Sequence, residues 1–139
     1  MSELDVAAVQ QTMRAFVRER EWDVFHSPKN LVMALSGEVG ELNELFQWLT
    51  EEQSHSAIED PAWAEAVRDE IADVLLYILR LADVLGVDLG AAVRNKMAKN
   101  AAKYPAELVR GSARKYTDIK LAPPAPSDSV PDRVKSQGS

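Results

Sequence analysis

The chain has 139 residues, enough for one domain with a core of its own, and its formal net charge of −6 argues against non-specific nucleic-acid binding, which needs a basic surface. Apolar residues make up 46% and aromatics only 6%, a balance that suits helices, and no stretch offers several short alternating strands. The absence of cysteine excludes disulfides, thiolate zinc sites and cysteine nucleophiles, and two histidines give little support to a His-rich metal site or a serine triad.

The spacing of Val6, Val9, Met13, Phe16 and Val17 predicts a first helix over residues 3–20. A break follows at Trp22-Asp23-Val24-Phe25-His26. Ser27-Pro28 reads as an N-cap with proline at the first helical position, opening a second helix that runs to about Trp48. Gly37 and Gly40 each cost roughly 1 kcal/mol inside a helix, so their expected use is the close approach of another helix or a ligand. Residues 50–59 are polar and read as a loop. Asp60-Pro61 repeats the cap-plus-proline signal and starts a third helix to Leu85, apolar on nearly every side from Ile71 onward. A small domain rarely buries one helix so fully, which points to oligomerisation. Gly86 ends this helix, Asp88 can cap a fourth over 89–104, and Pro105 stops it. After Tyr116 the chain turns Pro/Ser/Asp-rich, and residues 119–139 are expected to be a disordered tail behind a domain of residues 1–118. Asp73, Arg80 and Asp83 interrupt the longest apolar run, so no membrane-spanning segment is expected. The N-terminus lacks a basic region followed by an apolar core, so neither is a signal peptide, and a cytoplasmic protein is the default.

Two acidic motifs carry the chemistry, Glu38-Val39-Gly40-Glu41 and Glu70-Ile71-Ala72-Asp73. A spacing of three puts both carboxylates of each motif on one helix face. Two such charges about 4 Å apart repel by about 4 kcal/mol at an effective dielectric of 20. Antiparallel neighbours would bring the pairs together as a four-carboxylate cage, and all-oxygen ligands favour Mg²⁺ or Mn²⁺ over zinc. The bland reading, two solvated acidic faces, fits less well because each pair lies inside a Leu/Val/Ile/Ala segment. Lys96, Asn100 and Lys103 share a face of the fourth helix, either to hold phosphate oxygens or simply as a basic face near a helix C-terminus. Tyr104 follows as a contact or a hydrophobic stop. Trp22, Phe25, His26, Trp48 and Tyr77 can form a base-stacking pocket, with a core position the better reading for Phe25.

The run Trp22-x-x-Phe25-His26-x-Pro28-x-Asn30, the segment Gly37-Glu38-Val39-Gly40-Glu41-Leu42 and Glu44-Leu45-Phe46-Gln47-Trp48 closely resemble the dCTP pyrophosphatases, MazG-like all-α nucleoside triphosphate pyrophosphohydrolases. The likeness continues through Glu70-x-x-Asp73-Val74-Leu75-x-Tyr77, Lys96-Met97-x-x-Asn100, Tyr104-Pro105 and Arg110-Gly111-Ser112-Ala113-x-Lys115-Tyr116-Thr117. The resemblance implies a four-helix-bundle-like protein, assembled as a homotetramer of dimers, that cleaves dCTP to dCMP and pyrophosphate with Mg²⁺. Mn²⁺ is the expected substitute. It carries metal ligation onto Glu38, Glu41, Glu70 and Asp73. Substrate contacts carry onto Trp22, Asp23, Val24, Phe25, His26, Trp48, Tyr77, Lys96, Asn100, Lys103 and Tyr104. Lys103 departs from the arginine of close relatives and offers a point charge where a bidentate fork is usual.

Glu41 is the expected residue to orient or deprotonate the attacking water. Trp48 lies seven residues beyond Glu41, about 10 Å along the helix, so in antiparallel helices Trp48 and Tyr77 fall at opposite ends of the cage. One base would not reach both within a chain, and each site is expected to borrow groups from a neighbouring subunit. Other substrates remain open at this point, namely dUTP and 5-modified dCTP, as does a non-enzymatic helical module whose cage holds a structural cation.

Overall fold

A computed structural model of the chain describes residues 2–113, and these contain helices and turns but no strand. The predicted tail and the Lys115-Tyr116-Thr117 segment lie outside the described residues. The elements are α1 (Val6–Glu19), a 3-10 turn (Asp23–Phe25), α2 (Pro28–Phe46), α3 (Glu51–Ser56), a second 3-10 turn (Ala57–Glu59), α4 (Pro61–Leu85), α5 (Leu89–Lys103) and α6 (Ala106–Val109). They divide into two compact units, Met1–Ala92 and Val93–Ser139. No helix is long and apolar enough to cross a membrane among the described residues.

The helix starts follow their local chemistry. Asp5 accepts from Ala8 N at 2.9 Å, Ser27 Oγ from Asn30 N at 3.2 Å, Asp60 from Ala62 N at 3.0 Å and Asp88 from Ala91 N at 2.9 Å. Each satisfies an amide that the first helical turn leaves without a partner. Gly86 closes α4 in the left-handed region at φ 66°, with Val87 N bonded back to Ala82 O at 2.8 Å. The same closure ends α1, with Glu21 at φ 55° in the position that usually holds glycine. There Glu21 N bonds to Arg18 O and Trp22 N to Val17 O, both at 3.0 Å, which folds Trp22 back onto the helix.

In the first unit, α2 and α4 form the main packing and run antiparallel. At one end Phe46 meets Trp63 edge-on with ring centres 4.7 Å apart, and Trp63 Nε1 donates to Leu45 O at 3.3 Å. At the other end, Arg80 reaches His26 and Asp23, just before α2 begins. α1 lies against α4, tied by Gln10 Nε2 donating to Leu79 O at 2.9 Å. Val17, Leu31, Ala64, Val67, Leu79 and Ala82 form the core, with Arg80 buried among them. The second unit contains the rest of α5 and the short α6, which follows Pro105.

Two sequence expectations, those for residues 50–59 and for the two helix glycines, need correction. Residues 50–59 are helix and 3-10 turn, because Thr50 and Gln53 form a reciprocal capping box that organises a polar turn without any apolar stripe. The apolar part of α4, by contrast, carries more apolar surface than the described residues of one chain cover, as its sequence pattern anticipates. Ile71, Ile78 and Leu85, spaced by seven, stay exposed along one face. Among the described residues, Gly37 and Gly40 serve no close approach of another helix, since nothing outside their own helix backbone comes within 4 Å of a Cβ built at either position.

Candidate active site

Antiparallel packing of α2 on α4 brings the acidic motifs together. Glu38, Glu41 and Glu70 each place a carboxylate oxygen within 4.8 Å of the others. Asp73, one turn beyond Glu70, lies outside that trio but its charge acts on both Glu38 and Glu70. Burial, then the charges of Glu41 and Asp73, hold the Glu38 carboxyl above its ordinary pKa. The same causes in the same order raise Glu70. Glu70 Oε2 is buried without a hydrogen-bond partner. None of the ion pairs among the described residues neutralises the trio, since they engage Asp23, Asp83 and Glu19. Converging carboxylates with an orphaned buried oxygen are the donor set of a hard divalent cation, so the residues present fit such an ion.

Beside this cluster a cavity of about 570 Å³ opens between α1 and α4, well within the range of small-molecule sites. Its α1 wall is Ala8, Val9, Thr12, Met13, Phe16 and Val17; Trp22 and His26 come from the connection to α2, and Asp73, Leu76, Tyr77 and Arg80 from α4. Trp22 is held by edge-on contact with Phe16, with ring centres 5.8 Å apart. The Arg20 guanidinium covers the Phe16 ring at 3.5 Å. Asp73 belongs to both features: its charge acts on the acidic trio and its side chain lines the cavity.

Of the residues predicted to contact substrate, the structure gathers Trp22, His26 and Tyr77 in the cavity. Asp23 does not line it but pairs with Arg80, which does, at 3.1 Å. Val24 and Phe25 are exposed, so Phe25 is neither in the core of this chain nor in the cavity. Trp48 is 87% exposed beyond the far end of α2, consistent with its separation from Tyr77. Lys96, Asn100, Lys103 and Tyr104 belong to the second unit, where their side chains are exposed. Sequence reasoning missed the α1 wall, whose apolar stripe it used only to place a helix, and Arg80, which it read only as an interruption of an apolar run.

A MazG-like family profile matches residues 33–119, which carry all four acidic residues. The chain belongs to the MazG-like family. Its relatives bear out the resemblance to the dCTP pyrophosphatases. The dCTP pyrophosphatase 1 of Bos taurus is 44% identical over 118 residues, covering 85% of this chain and 70% of that protein. The Homo sapiens dCTP pyrophosphatase 1 is 48% identical over 104 residues, 75% of this chain and 61% of that protein. The chain thus spans less than two thirds of the human protein's length. Among solved structures, a pyrophosphatase from Archaeoglobus fulgidus superposes with a TM-score of 0.68 at 38% identity. That match covers 76% of this chain and 96% of the archaeal one, so the helical arrangement of this MazG-like chain is that of a known pyrophosphatase.

Proposed function

We propose that the chain is a pyrophosphohydrolase that converts dCTP and water to dCMP and pyrophosphate, with 5-modified dCTP as a further substrate and Mg²⁺ as its metal. One observation carries the reading: Asp73 is shared by an acidic cluster suited to a metal-bound triphosphate and a cavity suited to a base. A nucleotide is the ligand that needs both in contact. The dCTP pyrophosphatase relatives support cytosine as that base.

Glu38, Glu41, Glu70 and Asp73 would hold the metal. When bound it supplies charge neutralisation of the triphosphate and acidifies coordinated water. The remaining steps belong to the chain's own residues. Glu41 is the most exposed of the trio, and we assign it to orient the attacking water and accept its proton. Attack at the α-phosphorus breaks the bond to the bridging oxygen and releases pyrophosphate. Trp22, Tyr77 and His26 hold the base in the cavity, stacking being worth ~1–3 kcal/mol per base. Lys96, Asn100 and Lys103 are proposed to engage phosphate oxygens.

We further propose a homotetramer in which subunits complete each other's sites. The exposed stripe of Ile71, Ile78 and Leu85 supports this, as does exposed Trp48, which a base in the same chain's cavity would not reach. A bundle closed by helices of neighbouring subunits would bury both. Pyrophosphate release across all nucleoside triphosphates, with and without Mg²⁺, tests the reading. Release from dCTP only with metal supports it, and release from none would leave a cation-binding helical module.

A further inference from the structure

On the reading that the α1–α4 cavity takes a nucleobase, we infer that Arg80 is a positioning residue that fixes His26 as its Nε2–H tautomer. The ring thereby becomes a single hydrogen-bond donor aimed at the base. Arg80 is 6% exposed, and all three guanidinium nitrogens are engaged. Its Nε donates to His26 Nδ1 at 3.2 Å, one terminal nitrogen to Asp83 at 3.2 Å and the other to Asp23 at 3.1 Å. Arg14 engages the second oxygen of Asp83, so the carboxylate that orients the guanidinium is itself pinned from α1.

The consequence for His26 follows from the donor inventory. A guanidinium has five N–H donors, no acceptor, and does not lose its proton. A ring nitrogen facing its N–H must therefore present a lone pair, so Nδ1 is unprotonated. In a neutral imidazole the proton then sits on Nε2. Nε2 has no protein partner among the described residues, and the ring lines the cavity. Burial first, and then the Arg80 charge, lower the His26 pKa from 6.5, with the Asp23 charge opposing in part. The other titratable groups lining the cavity are Asp73 and Tyr77, both from α4; the α1 wall contributes none. A fixed neutral donor suits an acceptor edge, such as O2 and the unprotonated N3 of cytosine. Protonation at Nδ1 would instead set an N–H against the guanidinium.

The chain has two histidines, so the test is direct. Nitrogen-15 spectra of histidine-labelled protein, assigned with His55→Gln, should show His26 at neutral pH as the Nε2–H tautomer. In Arg80→Met/Asp83→Asn, which leaves no unpaired carboxylate at residue 83, the two tautomers should mix. The KM for dCTP should rise about tenfold, more than kcat falls, as expected for losing one oriented hydrogen bond. A proton on Nδ1 in the native protein, or an unchanged tautomer or KM in the folded double variant, would overturn the assignment. If no nucleoside triphosphate is hydrolysed, the nucleotide reading fails by itself, and the native spectrum still decides what Arg80 does to His26.

Discussion

Two charged clusters sit ten residues apart on α4 and follow opposite rules. Glu70 faces Glu38 and Glu41, with the Asp73 charge one turn on, like charges that no ion pair among the described residues neutralises, and one buried oxygen is unpartnered. Arg80 and Asp83 lie between Arg14, Asp23 and His26, with signs alternating and every guanidinium nitrogen of Arg80 bonded. The second arrangement pairs its charges without a ligand and lines the cavity through Arg80 and His26. The first is costly alone and becomes favourable once an external cation enters. Along one helix, unpaired charge marks the place where something binds, and paired charge marks the frame that aims it.

Substitutions should separate the two clusters by what they damage. The largest effect is expected for Glu41→Gln, which should lower pyrophosphate release at least about a thousandfold while leaving the melting temperature unchanged or raised. Substantial dCTP hydrolysis by this variant would remove Glu41 from its assigned role. Arg80→Met should do the reverse to stability, costing about 2 kcal/mol in denaturant unfolding, because one oxygen of Asp83 loses its buried partner while Arg14 holds only the other.

Metal should act on the acidic cluster alone. At a hundred times its Kd, Mg²⁺ should add about 2.7 kcal/mol, read as a thermal shift. The sign with pH follows from the raised carboxyls. Glu38 and Glu70 hold protons more tightly folded than unfolded, so that contribution is fully present below 4.5 and is lost as pH rises through their raised values. The metal-free protein should therefore lose stability over that rise, and the shift on adding Mg²⁺ should grow with it. A shift independent of pH would mean that the metal binds elsewhere. The smallest effect belongs to Arg14→Ala. Arg14 is half-exposed, and its ion pair should be worth less than about 1 kcal/mol. A loss as large as that of Arg80→Met would show that the frame depends on its rim.

Much of this was legible in the sequence because local chemistry dictates it. Ser27-Pro28, Asp60-Pro61, Gly86 and Asp88 mark helix ends through groups within four residues, and the structure uses each as expected. The acidic pairs were legible because their spacing fixes their face whatever the packing. α3 was missed because its six polar residues have no apolar period, although Thr50-x-x-Gln53 was the available signal. Arg80 was missed for a different reason: Asp23 and His26 lie 57 and 54 residues away, a pairing that no local pattern encodes. The exposed stripe of α4 agrees with the sequence reading that a small domain does not bury so apolar a helix on every side.

The most direct test of the central claim is product analysis of dCTP incubated with the purified protein and Mg²⁺. The account predicts dCMP and pyrophosphate in equal amounts, lost on chelation and in Asp73→Asn, the variant that cuts the link between cluster and cavity. Release of inorganic phosphate in place of pyrophosphate, or full activity in Asp73→Asn, would contradict it.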